Sequence, residues 1–209
     1  MVPVKLLILG AQNTGKTALC VRFITKRFIG EYDHKKEVTY RCSRTVDQET
    51  VDLEILDLPC KSSEASIESS IRWADGFLLL YSITQRSSFL EIPRLKTLID
   101  QTKQSLVFPT VLVANKADLE VGRKVTTEEG QRLAKDLGCG FRELSVAEAV
   151  LSVEAAIFQL IRSVFAFLIY FFNTNCENIL ILHFTSHAYH MVRLKYNTDV
   201  EILCSPCGF

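Results

Sequence analysis

The run Gly10-Ala11-Gln12-Asn13-Thr14-Gly15-Lys16-Thr17 fits the spacing G-x-x-x-x-G-K-[ST]. Its chemistry is phosphate binding. Glycines let the backbone curl so that successive N–H groups point inward at phosphate oxygens. A helix opening at the end of the loop adds unpaired donors and the positive end of its dipole. Lys16 can reach the outer phosphates, and the Thr17 hydroxyl can ligate Mg²⁺. Gly10, Asn13, Thr14, Gly15, Lys16, Thr17 and Ala18 are therefore the candidate phosphate-side residues. A chance glycine loop would not need an apolar run before it and a helical pattern after it, and both are present.

A second motif chooses the base. Asn115-Lys116-Ala117-Asp118 directly follows the apolar run Thr110 to Ala114. A carboxylate at Asp118 can accept two hydrogen bonds from guanine N1–H and its amino group, which adenine lacks. Asn115 and the stem of Lys116 can brace the base and the phosphate loop, and Ser145 stands where a short loop would close over the base. The ligand expected is GTP or GDP with Mg²⁺. A kinase acting on ATP is disfavoured by this motif and by the lack of an arginine-rich lid segment.

These residues need strands that end, and helices that begin, along one rim. Val4 to Leu9 reads as a strand buried on both faces, stopping at Gly10. Lys16 to Thr25 carries Leu19, Phe23 and Ile24 at helical spacing. Thr39 to Val46 and Val51 to Leu58 alternate and are joined by the turn-like Asp47-Gln48-Glu49, which predicts an antiparallel hairpin. Gly76 to Tyr81, Thr110 to Ala114 and Phe141 to Leu144 read as further strands. Helical patterns occupy Ser87 to Thr102, Thr127 to Leu137 and Val150 to Phe165. The alternation predicts an α/β fold, a mainly parallel sheet of about six strands with one antiparallel edge hairpin and helices on both faces. Ligands of such a sheet sit at the strands' carboxyl ends.

Residues 1–165 form the expected domain, and 166–209 read as an atypical hydrophobic tail outside the fold. Val164 to Phe172 is wholly apolar but is about half the ~20 residues a membrane helix needs. Cys204 and Cys207 with His183, His187 and His190 form a weak zinc pattern, interrupted by Pro206. No prenylation box closes the sequence, and Val2 is incompatible with myristoylation, so no lipid anchor is expected. A formal net charge of zero argues against a nucleic-acid partner. Seven scattered cysteines read as reduced thiols, hence a cytoplasmic or nuclear location. Cys20 reads as a small core residue, and Trp73 as a packing anchor more than a partner-facing aromatic.

Together the two motifs resemble the Ras superfamily of small GTPases over about Val4 to Phe165. Val21 to Tyr32 looks most like its Ras-related and estrogen-regulated growth inhibitor group. The resemblance implies that Phe28 stacks on the base, and that Ser145-Val146-Ala147 is a loose version of the family's Ser-Ala-Lys base loop. It also implies that Asp57 stands beside Thr17 on the Mg²⁺ side, and that protein effectors or regulators meet residues near 29–39 and 58–73 of a monomer.

Four positions depart from that pattern. Lys35 replaces the threonine that ligates Mg²⁺, and an ammonium cannot coordinate a cation. Cys60, after Pro59, replaces the glycine whose N–H finds the γ-phosphate, and Lys61 replaces the glutamine that orients the attacking water. Gln12 replaces a common glycine beside the γ-phosphate. No residue is therefore assigned a catalytic role. The expectation is retained nucleotide binding with slow hydrolysis; the alternative is a pseudo-GTPase that holds nucleotide structurally or not at all.

Overall fold

The computed structural model describes residues 2–29, 37–59, 62–105 and 108–174. Six strands form one sheet: β1 (Val4–Leu9), β2 (Val38–Val46), β3 (Glu49–Asp57), β4 (Gly76–Ser82), β5 (Thr110–Asn115) and β6 (Gly140–Glu143). Their order is β2-β3-β1-β4-β5-β6, antiparallel at β2–β3 and parallel elsewhere. The expected architecture is the observed one. Leu6, Leu7 and Ile8 of β1 are fully buried because helices cover both faces, so over residues 6–9 the strand is apolar without alternation.

One face carries α1 (Lys16–Thr25) and α6 (Val150–Thr174), whose Leu19, Phe23, Val153, Ile157 and Ile161 pack on Leu6, Ile8, Leu78 and Val111. The other carries α2 (Glu64–Trp73), α3 (Arg86–Leu90), α4 (Ile92–Lys103) and α5 (Thr127–Asp136), packed on Leu7, Phe77, Leu79 and Leu112. Cys20 lies fully buried on α1, and burial, followed by the Asp57 carboxylate, pushes its thiol well above the ordinary range. The hairpin turn places both Asp47 (φ 50°) and Gln48 (φ 72°) in the left-handed region, matching the twist of the strands it joins. Arg162 of α6 pairs with the Asp47 carboxylate at 2.8 Å.

Three elements differ from the sequence reading. The single helix expected over Ser87 to Thr102 is two, parted at Glu91, because Pro93 has no N–H to give back to Phe89. Helix α2 was not expected; its N-terminus is capped by Ser63, whose hydroxyl accepts from the Ser66 N–H at 3.2 Å. Helix α6 runs to Thr174, nine residues past Phe165. Phe165 and Leu168 pack against the core, and the Phe167 ring lies 5.0 Å from that of Phe108. By length and composition Val150–Tyr170 could cross a membrane, but its inner positions are core residues of the sheet's α1 face.

At the amino ends of the strands, Asp75 joins β1 to β4. Its Oδ2 accepts from the Lys5 N–H at 2.9 Å, while Oδ1 is buried with no hydrogen-bond partner among the described residues. Burial pushes this carboxyl up to about 6, against the opposing pull of the Lys5 N–H and the Lys103 and Lys5 ammonium groups. Lys103, from the end of α4, donates to Ala74 O at 2.6 Å and Arg72 O at 3.0 Å and lies over the Phe108 ring. Its own burial brings it down to about 8.

Candidate functional site

The carboxyl ends of β1, β3 and β5 and the segment after β6 meet along one rim, and each ends in a residue of the motifs. Gly10 follows β1 with φ 151°, and a Cβ there would stand 2.1 Å from Leu80 O, so only glycine lets the loop leave the sheet along this path. The loop closes on itself: the Thr14 hydroxyl donates to Ala11 O at 2.9 Å. Gly15 (φ 98°) then starts α1, and Lys16 and Thr17 are buried in its first turn.

The Lys16 ammonium donates to Gly10 O (2.9 Å) and Ala11 O (3.0 Å), which holds its charge over the mouth of the loop. The Thr17 hydroxyl donates to Asp57 Oδ2 at 2.5 Å, bringing β3 and α1 together. A hydroxyl and a carboxylate side by side are hard oxygen donors of the kind Mg²⁺ prefers. This donor pair, at the first turn of α1 beside the Lys16 ammonium, fits a Mg²⁺–phosphate group.

Asn115, 2% exposed at the end of β5, ties the rim together. Its Nδ2 donates to Thr14 O at 2.8 Å, and its Oδ1 accepts from Lys116 N (2.7 Å) and Val146 N (3.1 Å). One amide thus bonds the phosphate loop, its own motif and the loop after β6. Lys116 takes a left-handed backbone (φ 68°), which turns the chain toward Asp118. Ser145 Oγ accepts from Glu148 N at 3.3 Å, and Ala117 N donates to Leu144 O at 3.2 Å, fixing the two base-side loops against each other.

These loops enclose a cleft of about 400 Å³ lined by Asn13, Gly15, Ala18, Phe28, Asn115, Lys116, Asp118, Leu119, Ser145, Val146 and Ala147. Phe28 (46% exposed) forms one apolar wall and Asp118 offers an exposed carboxylate. All the residues expected on the base side therefore share one cavity, with Lys16, Thr17 and Asp57 on the phosphate side of the same loop. Leu119 lines it too, a residue that the sequence does not signal because an apolar side chain after Asp118 is ordinary. Lys35, Cys60 and Lys61 lie outside the described residues, as do the cysteines and histidines of the tail. Among the described residues no cluster of His, Cys, Asp and Glu suited to a metal occurs elsewhere.

A second groove, of about 380 Å³, runs between β2–β3 and α2, lined by Glu37, Thr39, Arg41, Glu54, Leu56, Ser66, Ser69, Ser70 and Trp73. Trp73 is half-buried there, packed on the core and under the Lys5 ammonium at 5.6 Å, so it is both a packing residue and a wall of the groove.

Residues 5–166 match the model of the Ras family. The chain belongs to the Ras family. It is 45% identical over 161 residues to the Ras-related and estrogen-regulated growth inhibitor of Homo sapiens, covering 77% of this chain and 81% of that protein. The growth inhibitor-like protein of Bos taurus is 42% identical over 169 residues, with 77% and 82% covered. The Ras-like protein family member 11A-like of Danio rerio is 40% identical over 170 residues, with 77% and 67% covered. Ras-family proteins bind guanine nucleotide with Mg²⁺ and engage protein effectors or regulators.

Proposed function

We propose that this chain binds GTP or GDP with Mg²⁺ in the cleft beside Phe28 and Asp118, hydrolyses GTP slowly, and acts by presenting a nucleotide-dependent surface to protein partners. The observation that carries the reading is the Asn115 hub, which locks a phosphate-type loop and a guanine-type loop into one rigid site. Loop N–H groups and the Lys16 ammonium hold the β- and γ-phosphates. Phe28 stacks on the base, and Asp118 accepts its two N–H donors. Ser145, Val146 and Ala147 close the cleft over the base. Thr17 and Asp57 hold Mg²⁺, which neutralises phosphate charge when bound.

The slow hydrolysis rests on Gln12, Lys35, Cys60 and Lys61. A protonated lysine offers no acceptor to orient water, and no proton-accepting group replaces it in the sequence at that position. Partners meet residues near 29–39 and 58–73 of a monomer; of these, Glu37, Thr39, Ser66, Ser69, Ser70 and Trp73 line the second groove. The free thiols of Cys20, Cys42 and Cys139 support a reducing compartment, the cytoplasm or the nucleus.

The test is chromatography of the nucleotide released on denaturing gently purified, Mg²⁺-containing protein, followed by single-turnover hydrolysis of GTP. The expected result is close to one equivalent of guanine nucleotide and hydrolysis slower than about 10⁻⁴ s⁻¹, the intrinsic rate of an unassisted Ras site. Faster hydrolysis, or stimulation by an activating protein, overturns the slow-GTPase reading. Protein without nucleotide that also takes up none favours the pseudo-GTPase, a binding module independent of nucleotide.

A further inference from the structure

Arg22 occupies the last turn of α1 and does more than finish that helix. Its Nη1 donates to Lys26 O at 3.1 Å, and its Nη2 donates to Glu148 O at 3.1 Å and reaches Ala147 O at 3.5 Å. The first carbonyl belongs to the left-handed residue that ends α1, two positions before Phe28. The other two belong to the loop that supplies Ser145, Val146 and Ala147 to the cleft. One planar guanidinium therefore spans the two apolar walls of the base cleft, which are more than a hundred residues apart in the chain.

We infer that Arg22 is a positioning residue for guanine nucleotide: it holds the Phe28 segment and the 145–148 loop at the separation the base requires. This deepens the proposed function and rests on it. Two further contacts support the assignment. The Lys26 ammonium pairs with Glu154 of α6, so the same turn is also anchored from the far side. Arg44 Nη2 donates to Phe23 O (3.1 Å) and Ile24 O (3.3 Å), which satisfies the neighbouring end carbonyls and leaves Arg22 for the cross-loop reach. A fork of several N–H donors in one plane suits this bridge, whereas a lysine ammonium is a point charge on a flexible stem and cannot serve both sides in that geometry.

The assignment is tested by the release of a fluorescent N-methylanthraniloyl-GDP, chased with excess GDP in Mg²⁺, from the unaltered protein and from Arg22→Ala, Arg22→Lys and Arg162→Ala. Arg162 pairs with Asp47 at the hairpin turn, and its replacement controls for loss of a surface arginine. Release at least tenfold faster from Arg22→Ala is expected, with Arg22→Lys between it and the unaltered protein, Arg162→Ala unchanged, and association rates little altered. Arg22→Lys decides the matter alone if Arg22→Ala does not fold. Wild-type release from Arg22→Ala, or full rescue by lysine, overturns the bridge while leaving nucleotide binding intact. Failure of the unaltered protein to bind the analogue overturns the proposed function, and this assignment with it.

Discussion

Gly15 is where a single methyl group would do most harm. Its backbone stands at φ 98°, a conformation that costs a non-glycine residue on the order of 1–3 kcal/mol, and an added Cβ would lie 2.3 Å from Asn115 Nδ2. To make room, the amide must leave Thr14 O and break the join between the phosphate and base loops. Gly15→Ala is expected to weaken GDP binding about tenfold to a hundredfold, the cost of one or two buried hydrogen bonds. Isothermal titration with GDP checks it, and unchanged affinity would show that Asn115 does not couple the loops. At this scale the sequence was informative: Lys16, Thr17, Asn115 and Asp118 stand out because their types are dictated by phosphate and guanine chemistry. Leu119 and Arg22 did not stand out. The first is an ordinary apolar residue, and the work of the second is done on backbone carbonyls, which every sequence has.

Among the elements, the strands were legible because a sheet covered on both sides demands apolar runs, as in residues 6–9 and 111–114. Helix α2 was hidden by its serines. Its core-facing residues are few, Ile71 with Ile67 and Trp73 beside it, and it is set in place by the Ser63 cap and by packing on α4. The junction of β1, α2, β4 and α4 at Asp75 gives a pH dependence. This carboxyl titrates near 6 in the folded chain and near 3.8 as its ordinary value, so the folded state binds the proton more tightly. Its contribution is fully present below about pH 4 and is lost as the pH rises through 6, on the order of 3 kcal/mol in all. Asp75→Asn, which keeps an acceptor for the Lys5 N–H, is expected to remove that loss. Urea midpoints of both proteins from pH 4 to pH 7 should converge toward the acid end and part above pH 5 in favour of the variant. Parallel curves would mean that the carboxyl titrates normally.

For the whole molecule, the issue is where the folded unit stops. The sequence pattern fades at Phe165 because the chain becomes apolar on every face, which erases a helical period without ending a helix. The structure carries α6 to Thr174 and sets Phe167 against Phe108 and Leu168 against the core. A chain ending after Thr174 should therefore be more stable than one ending after Phe165, by roughly 2–4 kcal/mol for the aromatic pair and the leucine. Urea unfolding of the two truncated chains measures the difference, and coincident midpoints would place the last turns of α6 outside the cooperative unit.

The Asn115 amide makes the two loops the jaws of a chelate. For a nucleotide held as proposed, base and phosphates are two ends of one tethered ligand, and the protein grips them with two subsites pinned to a single side chain. A rigid pair of subsites whose spacing matches the tether gives the second contact a high effective concentration. Guanosine and pyrophosphate offered as separate pieces should accordingly bind far more weakly than their joined affinities would suggest. The advantage of the intact molecule measures how stiffly β5 holds the two loops apart.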